Sequence, residues 1–227
     1  KTEVLQVALF STVFLHELPT PLALLAMAVA TAAIGALLSF VSAYLVAKPT
    51  SWGRVRQWLH AVATLPMAVP GLALGLGYIL FFNAGGNPLH FLYGSMGILV
   101  LCTVAHFYTT AHLTATTALK QLDPEFEAVA ASLKVPFWIT FWRVTLPMCL
   151  PAVIEVARYF FVSAMTTVSA LIFLYSPDSS VAALTILTLD DAGDTAAAAA
   201  MATLVVLTSA VVSAGFYWLG RQVRNPG

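Results

Sequence analysis

An all-helical bundle that crosses a membrane several times is the fold class this sequence predicts, and three observations carry it. Of the 227 residues, 60% are hydrophobic and only 9% charged, against roughly 45–50% and about 25% in soluble globular domains. Five stretches, 22–47, 58–82, 96–119, 152–175 and 196–220, reach the roughly 20 apolar residues that a helix needs to span a ~30 Å hydrocarbon layer. These are continuous runs rather than the ~10-residue alternating segments of a membrane β-barrel, and only helices then satisfy every backbone amide in lipid. The same figures exclude other classes. Ten Lys and Arg against ten Asp and Glu leave no net charge, so there is no basic excess for nucleic acid. Cys102 and Cys149 stand in apolar surroundings without a CxxC or Cys/His spacing, which argues against disulfide and zinc frameworks.

The elements follow in order. Residues 1–18 are too polar and too short to span, and read as a lead-in along the outer surface; the spanning domain covers 19–221, and 222–227 form a tail. The second span is interrupted by Leu65-Pro66-Met67-Ala68-Val69-Pro70-Gly71, with Gly75 and Gly77 beyond. Its two prolines remove amide donors and kink or break the helix. Gly71 and Gly75, four apart, permit close helix approach. A broken helix at membrane depth is tolerated beside protein or a water-filled cavity, so Pro66, Pro70, Gly71 and Gly75 are candidates for the wall of a pathway.

The 120–151 loop carries most of the information. Asp123 can cap a helix with Pro124 in its first turn and Glu125 and Glu127 near the positive end of its dipole, which predicts a short helix over 124–133. Val135-Pro136 ends it. Phe137, Trp138, Phe141, Trp142 and Val144 then form a second segment suited to the membrane interface, so the loop reads as a helix-turn-helix lying flat on one face. The small residues Ala128, Ala130, Ala131 and Ser132 suit insertion of the first helix into a partner's groove.

In the fourth span, Glu155 and Arg158 lie one turn apart, one to two turns from its start. They form either a self-neutralised pair or a gate or contact with a second subunit. Thr166, Thr167 and Ser169 lie further in and either line a polar pathway or bond their own backbone. The 176–195 loop carries Asp178, Asp190, Asp191 and Asp194. Asp194 fits the N-cap of the fifth span, and the group is otherwise a docking patch for an extracytoplasmic protein. The Ala196–Ala200 run suits tight helix packing.

Orientation comes from the cations. Lys48, Arg54, Arg56, Lys120, Lys134, Arg143, Arg221 and Arg224, eight of the ten basic residues, share one side, which the positive-inside rule makes cytoplasmic. Five spans and a cytoplasmic C-terminus put Lys1 outside, and with Lys rather than Met in first place a further helix is expected before this segment.

Enzyme chemistry finds no foothold. There is no GxxxxGK[ST] to cradle ATP and no HExxH. His106 and His112 are six apart, off a shared helix face, and Gly94-Ser95-Met96-Gly97 is not GxSxG. No metal site and no cofactor in this chain are expected.

At the loop a resemblance becomes specific. Asp123-Pro124-x-x-Glu127-x-x-Ala130-x-Ser132-Leu133, followed by Phe141-Trp142-Arg143-Val144-x-Leu146-Pro147, resembles the EAA loop of type I ATP-binding-cassette importer permeases, the MetI-like fold. Leu65-Pro66-x-x-Val69-Pro70-Gly71-x-x-Leu74-Gly75 is similar to the iron, sulfate and phosphonate branch. Residues 165–177 and 190–200 resemble permeases for 2-aminoethylphosphonate, with ferric iron, sulfate and polyamine as the other cargoes. Together the similarity covers 22–221.

The resemblance implies a multi-pass bacterial inner-membrane subunit, usually with one helix before these five. Asp123, Glu127, Ala128, Ala130, Ser132, Leu133 and Lys134 would dock on an ATPase dimer that holds ATP and Mg. It implies a second permease subunit, identical or homologous, and an extracytoplasmic solute-binding protein as further partners, with lipid around them. Two positions depart from the family pattern. Lys134 stands where most members have glycine, and Ala128 stands where the acidic residue beside the paired alanines usually sits. An ion-coupled secondary transporter is the rival class, but it calls for carboxylates near the bilayer midplane, and Glu155 is the only acid within a span.

Overall fold

The computed structural model describes residues 19–47, 53–123, 125–174 and 182–224. The 1–18 lead-in, Pro124 and Asp178 lie outside them. All regular structure among the described residues is helical. In chain order the helices are α1 (Pro19–Ala47), α2 (Gly53–Thr64), α3 (Gly71–Phe82), α4 (Met96–Lys120), α5 (Glu125–Ser132), α6 (Phe137–Thr140), α7 (Leu146–Thr166), α8 (Ala182–Asp191) and α9 (Thr195–Arg224). Four helical stretches, 23–47, 96–120, 138–166 and 195–223, are long and apolar enough to cross a membrane, and α2 with α3 forms a fifth, bent by 107°.

Helices α1, α4 and α7 pack against one another and make the core. Small residues on α1 let them approach. Ala28, Ala32, Ala36 and Ala43 are buried, and at Gly35 a Cβ would fall 2.7 Å from the ring of the buried Phe160. Without a hydrophobic force between helices in lipid, such close packing is what holds a membrane bundle together. Thr103 and Thr116 are buried in the core and return their hydroxyls to the carbonyls of Leu99 and His112, four residues back, so they add no unsatisfied donor. Helix α9 lies at the edge against α7 and α8 and turns Val206, Val211 and Trp218 outward.

The second span, read as 58–82 and kinked or broken at its prolines, is broken into two helices that begin earlier, at Gly53. A 3-10 turn, Leu65–Ala68, separates them, and Pro70 is extended at φ −58°, ψ 141°. Neither Pro66 nor Pro70 has an amide proton, so the helix ladder cannot run through. Two of the carbonyls at the break find partners within the protein, as membrane depth demands. The Ala63 carbonyl accepts the Thr109 hydroxyl of α4 at 2.9 Å, and the Pro66 carbonyl accepts the Val69 amide at 3.2 Å.

The fourth span differs more from expectation. Instead of 152–175, the helical stretch runs over 138–166. The interfacial segment α6 passes through a π turn, Phe141–Thr145, directly into α7. Pro147 follows the π turn directly, at the point where α7 begins, and its missing amide donor interrupts the helix ladder there. Hence the loop is not a pair of helices lying flat: only α5 stands apart, and its second segment is the foot of a span. At the other end Thr167 turns extended, ψ 133°, and 168–174 form turns.

The 176–195 loop contains the unexpected helix α8. It ends on Gly193 at φ 83°, with the Gly193 amide on Asp190 O at 2.9 Å and the Asp194 amide on Leu189 O at 3.0 Å, a glycine-terminated helix end. Asp194 then accepts the Ala197 amide on Oδ1 at 3.1 Å, the N-cap its sequence position calls for.

Candidate functional site

The two helix breaks meet. At Gly75, one turn into α3, a Cβ would lie 2.5 Å from the Ala170 carbonyl oxygen, in the non-helical stretch after α7. At Gly71, the first residue of α3, a Cβ would lie 2.7 Å from Ser169 Oγ and 3.1 Å from His106 Cε1 of α4. The chain therefore closes on both glycines from the fourth span. The Ala170 carbonyl is also reached by the Cys102 thiol at 3.6 Å, so this part of the irregular backbone is satisfied within the protein, while Pro70 and Ser169 beside it are exposed.

Of the residues read as pathway wall, Gly71, Gly75 and Ser169 come together here. Pro66 and Pro70 sit at the adjoining bend. Thr166 is exposed, but its hydroxyl donates to Val162 O at 3.0 Å, and Thr167 is buried at the break. Sequence reading missed Cys102, Ala170 and His106 as members of this crossing. Only a histidine in an otherwise apolar run signalled the last of them.

A second polar group joins α1, α2 and α4 nearer the end that bears Lys120. His112 is fully buried. Its Nδ1 lies 3.0 Å from Ser42 Oγ and its Nε2 lies 3.4 Å from His60 Nδ1, while Tyr108 donates to Ser42 at 2.6 Å. With Thr109 on the Ala63 carbonyl, these bonds fasten α2 to α4. Removing one partner of a buried hydrogen bond leaves the other unsatisfied, so His112→Leu should lower stability by about 1–3 kcal/mol. Thermal unfolding in detergent reads this, and an unchanged midpoint would show the network carries no stability.

At the basic end, α5 presents Phe126 and Val129 to the exterior, and Leu133, just past its end, is exposed beside them. Its start is shaped by Asp123, whose Oδ1 accepts the Glu125 amide at 2.9 Å. Its end is set by Lys134 at φ 54°, with the Lys134 amide on Ala131 O at 3.0 Å and the Val135 amide on Ala130 O at 2.9 Å. This is the left-handed helix termination that favours glycine. Lys134, at the position where the resembled family has glycine, thus keeps the glycine conformation. Since a side chain there costs about 1–2 kcal/mol, partly offset by the freer unfolded glycine chain, Lys134→Gly should stabilise this loop. Slower amide exchange over 125–136 is the expected reading, and faster exchange would contradict it.

Glu155 and Arg158 form a bidentate pair, Arg158 Nε donating to Glu155 Oε2 at 3.1 Å and Nη2 to Oε1. Because the helical stretch begins at Trp138, the pair falls near its middle, deeper than the sequence reading placed it. It faces outward, with 38% of the arginine side chain and 54% of the glutamate accessible in this chain.

A three-helix core flanked by a broken span, with a short helix outside the bundle, is the architecture of type I ATP-binding-cassette importer permeases. Superposition on the permease chain of the MetNI methionine ABC transporter gives a TM-score of 0.77 at 12% identity, covering 91% of this chain and 95% of that one. A bacterial ABC transporter involved in the import of the acidic polysaccharide alginate gives 0.73 at 15%, covering 94% and 84%. Residues 50–225 match the family described as binding-protein-dependent transport system inner membrane component, and the chain belongs to that family.

Among curated relatives, the ferric transport system permease protein FbpB of Actinobacillus pleuropneumoniae is 30% identical over 86% of this chain and 28% of its own length. The putative 2-aminoethylphosphonate transport system permease protein PhnV of Salmonella paratyphi A is 30% identical over 67% of this chain and 57% of its own. The chain thus spans between about a quarter and three fifths of these relatives.

Proposed function

We propose that this chain forms one half of the membrane pathway of an ATP-driven importer, and that it lies in the inner membrane with its C-terminus and the 120–151 loop cytoplasmic. An extracytoplasmic binding protein delivers the solute, a second permease subunit completes the pathway, and a dimer of separate ATPase subunits binds ATP and Mg. The permease itself hydrolyses nothing. The carrying observation is α5, which with the residue after it holds Phe126, Val129 and Leu133 exposed outside the bundle on the side with most of the basic residues. An exposed apolar helix face of this kind fits a groove in a partner. The ATPase grips this helix, and closure of the two ATPase subunits moves it. Because α6 continues into α7, a push on the loop has a rigid lever leading to the crossing at Ser169. The test is Ala131→Cys, on the exposed α5. In native membranes this thiol should cross-link to a P-loop ATPase in a yield that changes with ATP, and absence of any ATPase adduct would count against the docking role.

For the cargo, the resemblance of 165–177 and 190–200 supports 2-aminoethylphosphonate. The ferric relative, matched over more of the chain, supports ferric iron as the second reading. Uptake of each by the full-length protein with its own binding protein separates them.

The exposed pair at mid-span supports a contact with the second permease subunit, because a charged pair facing lipid there is costly. Arg158→Leu leaves Glu155 alone and should impair membrane insertion by about 3 kcal/mol on the translocon scale. Replacing both by leucine should restore insertion but weaken subunit pairing. Normal pairing in the double variant would remove the contact role.

A further inference from the structure

The crossing of the two helix breaks holds a polar edge that the sequence did not assign. His106 is half-buried, and its Nδ1 is buried without a hydrogen-bond partner. The Cε1 and Nε2 edge of the ring lies 3.1 and 3.3 Å from the point where a Gly71 side chain would begin, and Ser169 Oγ lies 2.7 Å from the same point. The imidazole and the hydroxyl thus close directly on the bare Cα of Gly71, leaving no room for a side chain at 71. Ser169 and Pro70 are exposed and Gly71 is half-buried, so this contact lies at the surface of the single chain.

We propose that His106 and Ser169 form the polar neck of the translocation pathway, the place where a small solute with hydrogen-bonding oxygens passes from one side to the other. The inference rests on the importer reading above. The Nε2 edge of His106 and the Ser169 hydroxyl, side by side at the crossing, offer a passing solute a nitrogen and an oxygen to hydrogen-bond, and such groups are costly to keep at membrane depth unless they are used. Both of its neighbours, Gly71 and Ser169, belong to non-continuous helices. In transporters, broken helices meet where the solute is handled. Two breaks pressed together give a contact that opens or closes when α7 shifts against α3, which a continuous helix pair packed along its length would not allow.

The test uses the full-length protein reconstituted with its ATPase and binding protein. Cys102 and Cys149 are both buried, so Ser169→Cys and His106→Cys each introduce a thiol for a membrane-impermeant methanethiosulfonate reagent, with Val211→Cys on the outer face of α9 as the lipid-facing control. The expected result is that positions 106 and 169 react in one nucleotide state and slow by about tenfold or more, a 1.4 kcal/mol effect, when a non-hydrolysable ATP analogue is added, while position 211 stays unreactive in both. Equal reactivity in both states, or no reaction at 169 in either, overturns the neck. If His106→Cys fails to fold, the exposed Ser169 position decides alone. ATP-driven uptake by the wild type is measured alongside. Its absence overturns the importer reading, whereas its presence with nucleotide-insensitive labelling overturns only the neck.

Discussion

Glu127→Lys combined with Ala130→Trp should abolish ATP-driven uptake while leaving the protein inserted and folded. Both positions lie in α5, which is eight residues long and stands outside the core. A bulky residue at 130 and a reversed charge at 127 therefore act on docking rather than on the bundle. Docking through a short helix concentrates its energy in a few contacts, and loss of such a contact removes about 2 kcal/mol or more, roughly thirtyfold in affinity. Uptake should fall by at least that factor, and ATP hydrolysis should lose its response to the loaded binding protein. Unchanged uptake in the double variant would remove the assignment of α5 as the coupling element.

The second large effect is expected at Gly75. An added Cβ would stand 2.5 Å from the Ala170 carbonyl oxygen. That atom is backbone and cannot rotate away, so Gly75→Ala must push the two broken spans apart. Overpacking of this kind costs about 1–3 kcal/mol. Gly77, half a turn further along α3, has nothing within 4 Å of its would-be Cβ, so Gly77→Ala should be neutral or stabilise the helix by about 0.5–1 kcal/mol. Unfolding midpoints of the two variants in detergent, read side by side, isolate the contact from the general effect of glycine replacement. Equal midpoints would contradict the close approach.

Much of this was legible because the strongest signals are local. Prolines 66 and 70 mark a break wherever the helix lies, since a missing amide donor needs no tertiary context to act. Asp194 caps α9 for an equally local reason. Lys134 is the instructive case: the resembled family has glycine there, and the backbone keeps the left-handed turn with the side chain added.

What escaped the sequence is what depends on packing across the chain. Apolarity alone puts the fourth span at 152–175, yet a π turn over Phe141–Thr145 joins the interfacial segment to α7 and the helix begins earlier. Apolarity continues through 168–174, but Thr167 leaves the helix, and Ala170, Leu171 and Leu174 are buried in turns. Hydropathy reports burial in lipid or protein and does not register whether the backbone is helical. His106 could not be joined to Gly71 or Ser169 because 35 or more residues separate them along the chain, and only the meeting of two broken helices brings them to one point. The partnership of His112 with Ser42, His60 and Tyr108 is non-local in the same way.

The central claim is that this chain carries solute at the expense of ATP hydrolysed by a partner. Its most direct test is uptake into proteoliposomes holding the full-length protein, its co-encoded ATPase and its binding protein, with 2-aminoethylphosphonate and ferric iron as probes and ATP enclosed on the ATPase side. The account predicts accumulation of one probe that requires ATP and the binding protein and that persists when ion gradients are collapsed. Accumulation that follows an ion gradient and ignores ATP would contradict it and make the chain part of a secondary transporter.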